Sequence, residues 1–153
     1  MSLNSIDFKV LNPKFAKPYY ASPGAAGLDL VACIESDIKL AANAVTLIPT
    51  GIAIYIKNPS YAGLILPRSG LGHKQGIILG NGVGLIDSDY QGELKISCWN
   101  RSQEDFLITP GLRLAQLVIV PVITPIMREV TEFEQTTRGE QGFGSTGTNT
   151  ITA

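Results

Sequence analysis

The sequence predicts an all-β fold, a jelly-roll-like β-sandwich or barrel with very little helix. Its 16 glycines and 9 prolines are spread along 153 residues and interrupt the chain at short intervals. Between these interruptions lie short runs of β-prone residues, and many short strands with frequent turn signals are typical of sandwiches and jelly rolls. The length suits one domain with a real core, and no internal repeat or second domain is visible.

Composition excludes several classes of protein. Hydrophobic residues make up 44% and charged residues 16% of the chain, which indicates a globular protein. The net charge of −1 offers no electrostatic case for binding nucleic acid. No apolar stretch reaches the ~18 residues of a membrane span, and residues 1–7 lack the features of a signal peptide. We therefore expect neither nucleic acid nor a membrane as a partner.

The two cysteines indicate a reducing compartment. Cys33 and Cys98 lie in β-prone runs and lack the spacing of metal ligands. We expect both to be buried reduced thiols, which is consistent with a cytoplasmic protein.

Three further runs define the expected elements. Residues 51–56 carry isoleucine at every second position, the period of a strand with one buried face. Residues 117–120 are apolar throughout, so both faces of that strand are expected to be covered. Residues 126–133 fit a helix or a strand.

Residues 134–153 contain six threonines and four glycines with few apolar groups, which predicts a core at 1–133 and a flexible C-terminal arm at 134–153.

The most informative segment is 80–94. Its apolar run, which ends at Ile86, and the alternating run 94–98 flank Asp87-Ser88-Asp89, a pattern that predicts a β-hairpin with a polar tip. Asp87 ends a run that is expected to be buried, and a carboxylate near apolar walls can hold and deprotonate a water beneath a substrate. The rigid ring of Tyr90 can wall off a ligand. The alternative is a turn that happens to carry two acids.

Arg68, Ser69 and Gly70 form the first candidate for binding phosphate. Arginine offers a forked donor that matches phosphate oxygens. Ser69 can cap a short helical turn, whose free N–H groups favour an anion. The alternative is an ordinary turn that contains proline. His73 is the only histidine. A Ser-His-Asp arrangement built on it is conceivable, although a loop histidine is the simpler interpretation.

The glycine-rich stretch 142–147 is the second phosphate candidate. Its glycines, including Gly144, let backbone N–H groups fold around an anion. Ser145 and Thr146 add hydroxyl donors, and Arg138 adds charge. Phe143 has no local core to join, and its ring is suited to stack on a planar ligand. The alternative is a flexible linker.

Five segments, taken in order, resemble the motifs of the trimeric dUTP pyrophosphatases, or dUTPases. They are residues 26–30 (AGLDL), 67–72 (PRSGLG), 80–94 (GNGVGLIDSDYQGEL), 111–117 (GLRLAQL) and 138–147 (RGEQGFGSTG). The similarity covers nearly the whole chain, and five motifs in the same order make chance resemblance very unlikely. It implies a fold of the dUTPase type, a homotrimer with shared active sites, and hydrolysis of dUTP to dUMP and pyrophosphate. Such an activity limits uracil incorporation into DNA and supplies dUMP for thymidylate synthesis.

The resemblance also implies a role for each site residue. Asp87 would be the general base that activates water for attack on the α-phosphorus, Asn81 and the hairpin backbone would bind the uracil edge, and Tyr90 would pack under the deoxyribose. The remaining roles are phosphate binding by Arg68, Ser69, Gly70 and Gln116, with Gln116 also near the attacking water; water-mediated Mg²⁺ binding by Asp29; stacking on uracil by Phe143; and closure over the γ-phosphate by Arg138, Gly144, Ser145 and Thr146.

Two positions depart from the family pattern. Leu112 stands where an acidic residue is common, and Gln141 stands where glycine is common. We expect Arg113 to serve structure or subunit contact.

A dCTP deaminase has a similar fold and assembly, but it generally lacks the glycine-rich closing motif. A non-catalytic trimeric nucleotide-binding module is the second alternative.

Overall fold

The computed structural model describes residues 3–15 and 18–140. Within these ranges the chain forms ten strands and one short helix, which confirms the all-β prediction. The elements are β1 (Asp7–Val10), β2 (Leu28–Val31), β3 (Ile38–Leu40), β4 (Val45–Tyr55), β5 (Tyr61–Pro67), α1 (Ser69–Gln75), β6 (Ile77–Leu79), β7 (Gly84–Ile86), β8 (Glu93–Asn100), β9 (Phe106–Ile108) and β10 (Arg113–Pro121).

Two four-stranded antiparallel sheets form a jelly-roll-like sandwich. The first sheet has the order β1-β4-β8-β6 and the second has the order β2-β10-β5-β7, while β3 and β9 form a small two-stranded sheet. All strand pairs are antiparallel. Neighbours in each sheet are distant in sequence, so the chain crosses repeatedly from one sheet to the other.

The core lies between the inner faces of the two sheets. Ile48 and Ile96 come from the first sheet, and Leu30, Ile65 and Leu117 come from the second, all almost fully buried. Burial of apolar area on this scale supplies most of the favourable free energy of folding.

Buried polar groups in the core are hydrogen-bonded. The Thr50 hydroxyl donates to the carbonyl of Leu94 at 2.7 Å. The Asn100 amide donates to the carbonyls of Leu40 and Glu104 at 3.1 and 2.7 Å. Across the described part of the chain, no buried side-chain nitrogen or oxygen lacks a partner. These bonds offset the cost of removing the groups from water.

The two long strands differ from expectation in their burial. In β4, residues 51–54 are all buried, so the predicted single buried face is wrong there. Its second face is also covered, since Cys33 packs closely over Gly51. A Cβ added at Gly51 would lie only 2.7 Å from Sγ of Cys33. In β10, Leu117 is buried but residues 118–120 are half-buried, so full coverage of both faces is also wrong. Val118 instead lines a cavity.

The segment 126–133 is neither helix nor strand, so both sequence interpretations are wrong. The last strand ends at Pro121, and the side chains that follow are exposed, Ile126 at 97% and Phe133 at 91%. A strand needs a neighbour for its backbone groups, and no described strand of the same chain pairs with this segment. The boundary at 133 and the flexible arm stay predictions.

The predicted hairpin at 80–94 is also wrong in its pairing. β7 pairs with β5, with Ile86 opposite Gly63, whereas β8 pairs with β4 and β6. The acidic loop, residues 87–92, therefore connects the two sheets. Asp, Ser and Gly specify a reversal of the chain but not which strands it joins. The run before Asp87 is not buried either, since Leu85 is 65% exposed.

Both cysteines are free. Cys98 is buried, as predicted, but Cys33 is only half-buried because it lies past the end of β2. No helix of the described residues is both long and apolar enough to cross a membrane.

Candidate active site

A cavity of about 580 Å³ on the second sheet gathers the sequence-predicted phosphate residues. We call it the arginine cavity, and its polar lining is Asp29, Arg68, Ser69, Gly70 and Gln116. These residues come from three of the five sequence motifs. The structure therefore brings together the first, second and fourth motifs within one chain.

Sheet geometry explains the convergence. Gln116 in β10 lies opposite Asp29 of β2 and opposite Leu66 of β5. Directly opposed residues of antiparallel strands project from the same face. Arg68 follows Leu66 by two residues in extended backbone, with φ −85° and ψ 131°, so it continues on that face.

The placement of the Gln116 side chain depends on Pro67 and Gly27, to which the sequence analysis assigned no role. Its Nε2 donates to the carbonyl of Pro67 at 3.2 Å. A Cβ at Gly27 would lie 3.0 Å from its Oε1. Glycine at 27 therefore provides the space that the Gln116 amide occupies. Gly27 stands two residues before Asp29 in the first motif, but the sequence alone does not show its contact with Gln116.

Asp29 is the electrostatic centre of the arginine cavity. Its Oδ1 forms an ion pair with Nε of Arg68 at 3.0 Å, and its Oδ2 accepts a hydrogen bond from Nη1 of Arg113 at 3.1 Å. The Asp29 side chain is 9% exposed, so the pairs are much less screened than surface ion pairs. One carboxylate between two guanidinium groups leaves a local excess of positive charge, which favours an anion.

The helix that follows Arg68 differs from expectation. Arg68, not Ser69, is the N-cap of α1, and no side chain caps the helix. Ser69 is the first helical residue and lines the cavity with Gly70. An added Cβ at Gly70 would meet no atom within 4 Å. His73 is an exposed helical residue, not a loop residue.

Asp87 and Tyr90 lie beside a second cavity of about 330 Å³, whose walls include Leu47 and Leu85. The Tyr90 hydroxyl donates to the carbonyl of Glu93 at 3.0 Å. A Cβ at Gly92 would lie 2.4 Å from that hydroxyl oxygen. Glycine at 92 is therefore required for this placement of the ring. Asp87 has apolar neighbours as expected, but its side chain is exposed.

Lys57 anchors the acidic loop, a role that the sequence did not indicate. Its backbone has φ of 67°, a left-handed conformation that is uncommon outside glycine. Its N–H donates to the carbonyl of Ser88 at 2.9 Å. Its ammonium pairs with Asp7 and lies 5.5 Å from the centre of the Tyr55 ring. The loop is thus tied to the end of β4.

The two cavities lie at opposite ends of β5. Ile86 is opposite Gly63, so Asp87 lies near the end of β5 that begins at Tyr61. Arg68 is five residues from Gly63 in the other direction, just past the opposite end. At roughly 3.3 Å per residue, five residues span about 17 Å. A single chain therefore does not bring Asp87 and Arg68 together.

The other predicted residues are not brought to either cavity. Asn81 is exposed in the turn before β7, where its carbonyl accepts from Val83 at 2.9 Å. Arg138 is exposed near the end of the described chain. Four predicted residues of the last motif lie outside the described residues, namely Phe143, Gly144, Ser145 and Thr146, as does the atypical Gln141.

The arginine cavity can hold a divalent cation only if a bound ligand supplies further oxygen atoms to coordinate it. Among residues 3–15 and 18–140, no three His, Cys, Asp or Glu side chains are grouped to hold a metal. Asp29 offers about four lone-pair positions, of which the arginines use two. It can therefore still accept from metal-bound waters, and Mg²⁺ commonly keeps several waters while bound to substrate phosphates.

The antiparallel sandwich, with an anion cavity on one sheet and a separate carboxylate loop, has the features of a jelly-roll enzyme that acts on a phosphorylated ligand. The dUTPase family model matches residues 14–147. The chain belongs to the dUTPase family and is an enzyme of the dUTP diphosphatase class.

Curated relatives are similar over most of their length. The deoxyuridine 5'-triphosphate nucleotidohydrolase of Thiobacillus denitrificans is 60% identical over 144 residues, covering 93% of this chain and 99% of the relative. The protein of the same name from Albidiferax ferrireducens is 59% identical, with coverage of 93% and 97%.

Solved dUTPase structures share the fold. The Staphylococcus bacteriophage 80alpha dUTPase with dUpNHpp has a TM-score of 0.81 at 30% identity, covering 95% of this chain and 99% of that one. A variant of the phage phi11 dUTPase of S. aureus has a TM-score of 0.77 at 26% identity, with coverage of 86% and 100%. That structure is described as showing the coordination of a structural Mg(II) ion.

Proposed function

We propose that the protein hydrolyses dUTP to dUMP and pyrophosphate by attack of an Asp87-activated water on the α-phosphorus, at active sites shared within a homotrimer. The reaction would limit uracil incorporation into DNA and supply dUMP for thymidylate synthesis. The observation that carries the proposal is the arginine cavity, where Asp29, Arg68 and Gln116 of a dUTPase-family chain converge.

The arginine cavity supports binding of the phosphate chain. Arg68 presents a planar fork of donors that suits phosphate oxygens. Ser69 can donate its hydroxyl, and the open space beside Gly70 admits a ligand close to the backbone. Gln116 lies on the same face and would also contact the attacking water. These donors would stabilise charge that develops during displacement of pyrophosphate.

The acidic loop supports water activation and recognition of the nucleoside. Asp87 would take a proton from the attacking water. Asn81 and nearby backbone groups would bind the uracil edge, and a narrow slot would exclude the thymine methyl group and the reversed hydrogen-bond pattern of cytosine. The Tyr90 ring, held by the Glu93 carbonyl, would pack under deoxyribose and leave no room for a 2′-hydroxyl.

The separation of the two cavities supports shared sites. A general base must lie within hydrogen-bond reach of the water that attacks phosphorus, yet Asp87 and Arg68 of one chain lie at opposite ends of β5, roughly 17 Å apart along the strand. Asp87 of one subunit beside Arg68 of another removes this conflict. The exposed apolar side chains between Ile123 and Phe133 also favour coverage by a second copy.

Magnesium and the C-terminal arm complete the proposed site. Asp29 would hold waters of a Mg²⁺ that the triphosphate brings, and the ion would supply charge neutralisation at the phosphates. Phe143 would stack on uracil. Arg138, Gly144, Ser145 and Thr146 would close over the γ-phosphate. We place the enzyme in the cytoplasm, a proposal that the two free cysteines support.

A substrate panel tests the proposal. The protein is incubated with dUTP, dCTP, dTTP and UTP in the presence of Mg²⁺, and pyrophosphate, nucleotide product and ammonia are measured. We expect dUMP and pyrophosphate from dUTP, with little turnover of the other three. Equal turnover of UTP would contradict the assigned sugar recognition, and ammonia from dCTP would indicate the deaminase alternative.

A further inference from the structure

The last strand, β10, contains an irregularity at the edge of the arginine cavity. Arg113 lies opposite Val31 of β2, but Ala115 already lies opposite Leu30. Two steps along β10 therefore match one step along β2, which makes Leu114 the extra residue of a β-bulge. Leu114 and Ala115 are consecutive and both buried.

The bulge changes the direction of the Arg113 side chain. In a regular strand, Arg113 and Gln116 are three residues apart and would project from opposite faces. With one extra residue between them, both share the face of their opposed partners, Val31 and Asp29. The arginine is thereby placed where its guanidinium contacts Asp29.

Arg113 contacts Asp29 from outside the arginine cavity. Asp29 and Arg68 are lining residues, whereas Arg113 is not. Its side chain is 46% exposed, and its Nη1 donates to Oδ2 of Asp29 at 3.1 Å. The other oxygen, Oδ1, forms an ion pair with Nε of Arg68. The carboxylate thus joins an arginine outside the cavity to the arginine inside it.

We propose that Arg113 is a positioning residue of the phosphate site, which fixes the Asp29 carboxylate so that Asp29 aligns the Arg68 guanidinium with the phosphate chain. This inference rests on the proposed function. Without Arg113, one oxygen of a nearly buried carboxylate loses its partner, and the carboxylate can then rotate or draw Arg68 away from the ligand. A charge-assisted hydrogen bond of this kind is typically worth enough to change affinity severalfold or more.

The test is a double-mutant cycle on binding of dUpNHpp, measured by calorimetry on the full chain with Mg²⁺ and again with EDTA. Arg113→Gln is expected to weaken binding roughly 10- to 100-fold under both conditions. In the Asp29→Asn background, the same substitution is expected to change affinity by less than about twofold, because the connection to Arg68 is already removed. Arg113→Lys keeps the cation and is expected to bind with intermediate affinity.

Lys39→Gln is the matched control. It removes one positive charge from an exposed ion pair, Lys39–Asp105, that lies outside both cavities. Its affinity is expected to stay within about twofold of the unsubstituted protein, as is usual for a surface ion pair. Thermal unfolding of every variant shows whether it is folded. If Arg113→Gln does not fold, the cycle is run with Arg113→Lys.

Four outcomes decide on this inference and on the proposed function. An equal loss of affinity from Arg113→Gln with and without Asp29 would mean that Arg113 attracts phosphate directly, and the inference fails. Unchanged affinity in a variant with normal dUTP turnover overturns the inference and leaves the function intact. Tight dUpNHpp binding without dUTP hydrolysis refutes the function, while the cycle still decides the role of Arg113. Absence of dUpNHpp binding by the unsubstituted protein refutes both.

Discussion

Asp87 is the residue on which the proposed chemistry depends. It is an exposed carboxylate at the start of the acidic loop, beside the apolar side chains of Leu47 and Leu85. In the proposed site, a nucleotide and another subunit would cover it, and the carboxylate would then act as a base in a drier environment. Because its side chain makes no contribution to the core of its own subunit, its chemistry can be changed without unfolding the chain.

Asp87→Asn is expected to lower kcat by about 10²- to 10⁴-fold, since a positioned general base is lost. Binding of dUpNHpp and the thermal unfolding temperature are expected to change little. The matched control is Asp37→Asn, an exposed acid outside both cavities. Near-normal turnover by the Asp87 variant would remove Asp87 from the mechanism.

Cys98 gives a prediction for pH. Burial raises the pKa of the Cys98 thiol from 9.0 to about 11, because the interior disfavours the thiolate. The neutral thiol is the form that the fold accommodates, so this contribution to stability is complete below the unfolded-state pKa near 9 and is lost as the pH rises through about 11. We expect Cys98→Ala to flatten the alkaline part of a stability-versus-pH curve. A curve between pH 9 and 11 that matches the unsubstituted protein would contradict this prediction.

At the scale of elements, the sequence predicted strand content and motif residues more reliably than pairing. Alternation identified β4 and a continuous apolar run identified β10, because both patterns depend on local residue order. The pairing of β7 with β5 depends on Gly63 and Gly84, each of which approaches an isoleucine of the other strand closely. That contact is non-local and has no local signature. The bulge at Leu114 left no distinct signal, because consecutive apolar residues also occur at 117–120 of the same strand.

The acidic loop provides the prediction at this scale. Gly92→Ala places a Cβ 2.4 Å from the Tyr90 hydroxyl oxygen, so the ring must move and its bond to the Glu93 carbonyl is lost. We expect a higher KM for dUTP and weaker discrimination against UTP, measured as the ratio of kcat/KM values. The control is Gly24→Ala, where an added Cβ meets no atom within 4 Å. Unchanged discrimination would show that the Tyr90 position does not select the sugar.

At the scale of the whole molecule, the described chain holds the parts of a site without assembling them. The arginine cavity and the acidic loop lie at opposite ends of β5. The sequence identified most of the residues in both places, because each motif has a local chemical pattern. Their distance was not predictable from sequence, since it depends on which end of a shared strand each loop occupies.

Co-assembly of two inactive variants tests whether sites are shared. Asp87→Asn chains lack the base, and Arg68→Gln chains lack the phosphate donor. If one subunit supplies Asp87 and its neighbour supplies Arg68, then about one third of the sites in trimers that contain both kinds of chain have both intact residues. Differently tagged chains are unfolded, mixed in equal amounts and refolded, and mixed trimers are purified through both tags. Activity is expected to reappear in them.

The control mixes Asp87→Asn chains with chains that carry both substitutions, a combination in which no site contains both intact residues. A monomeric mass in solution, or verified mixed trimers as inactive as this control, would show that each subunit does not draw on its neighbour.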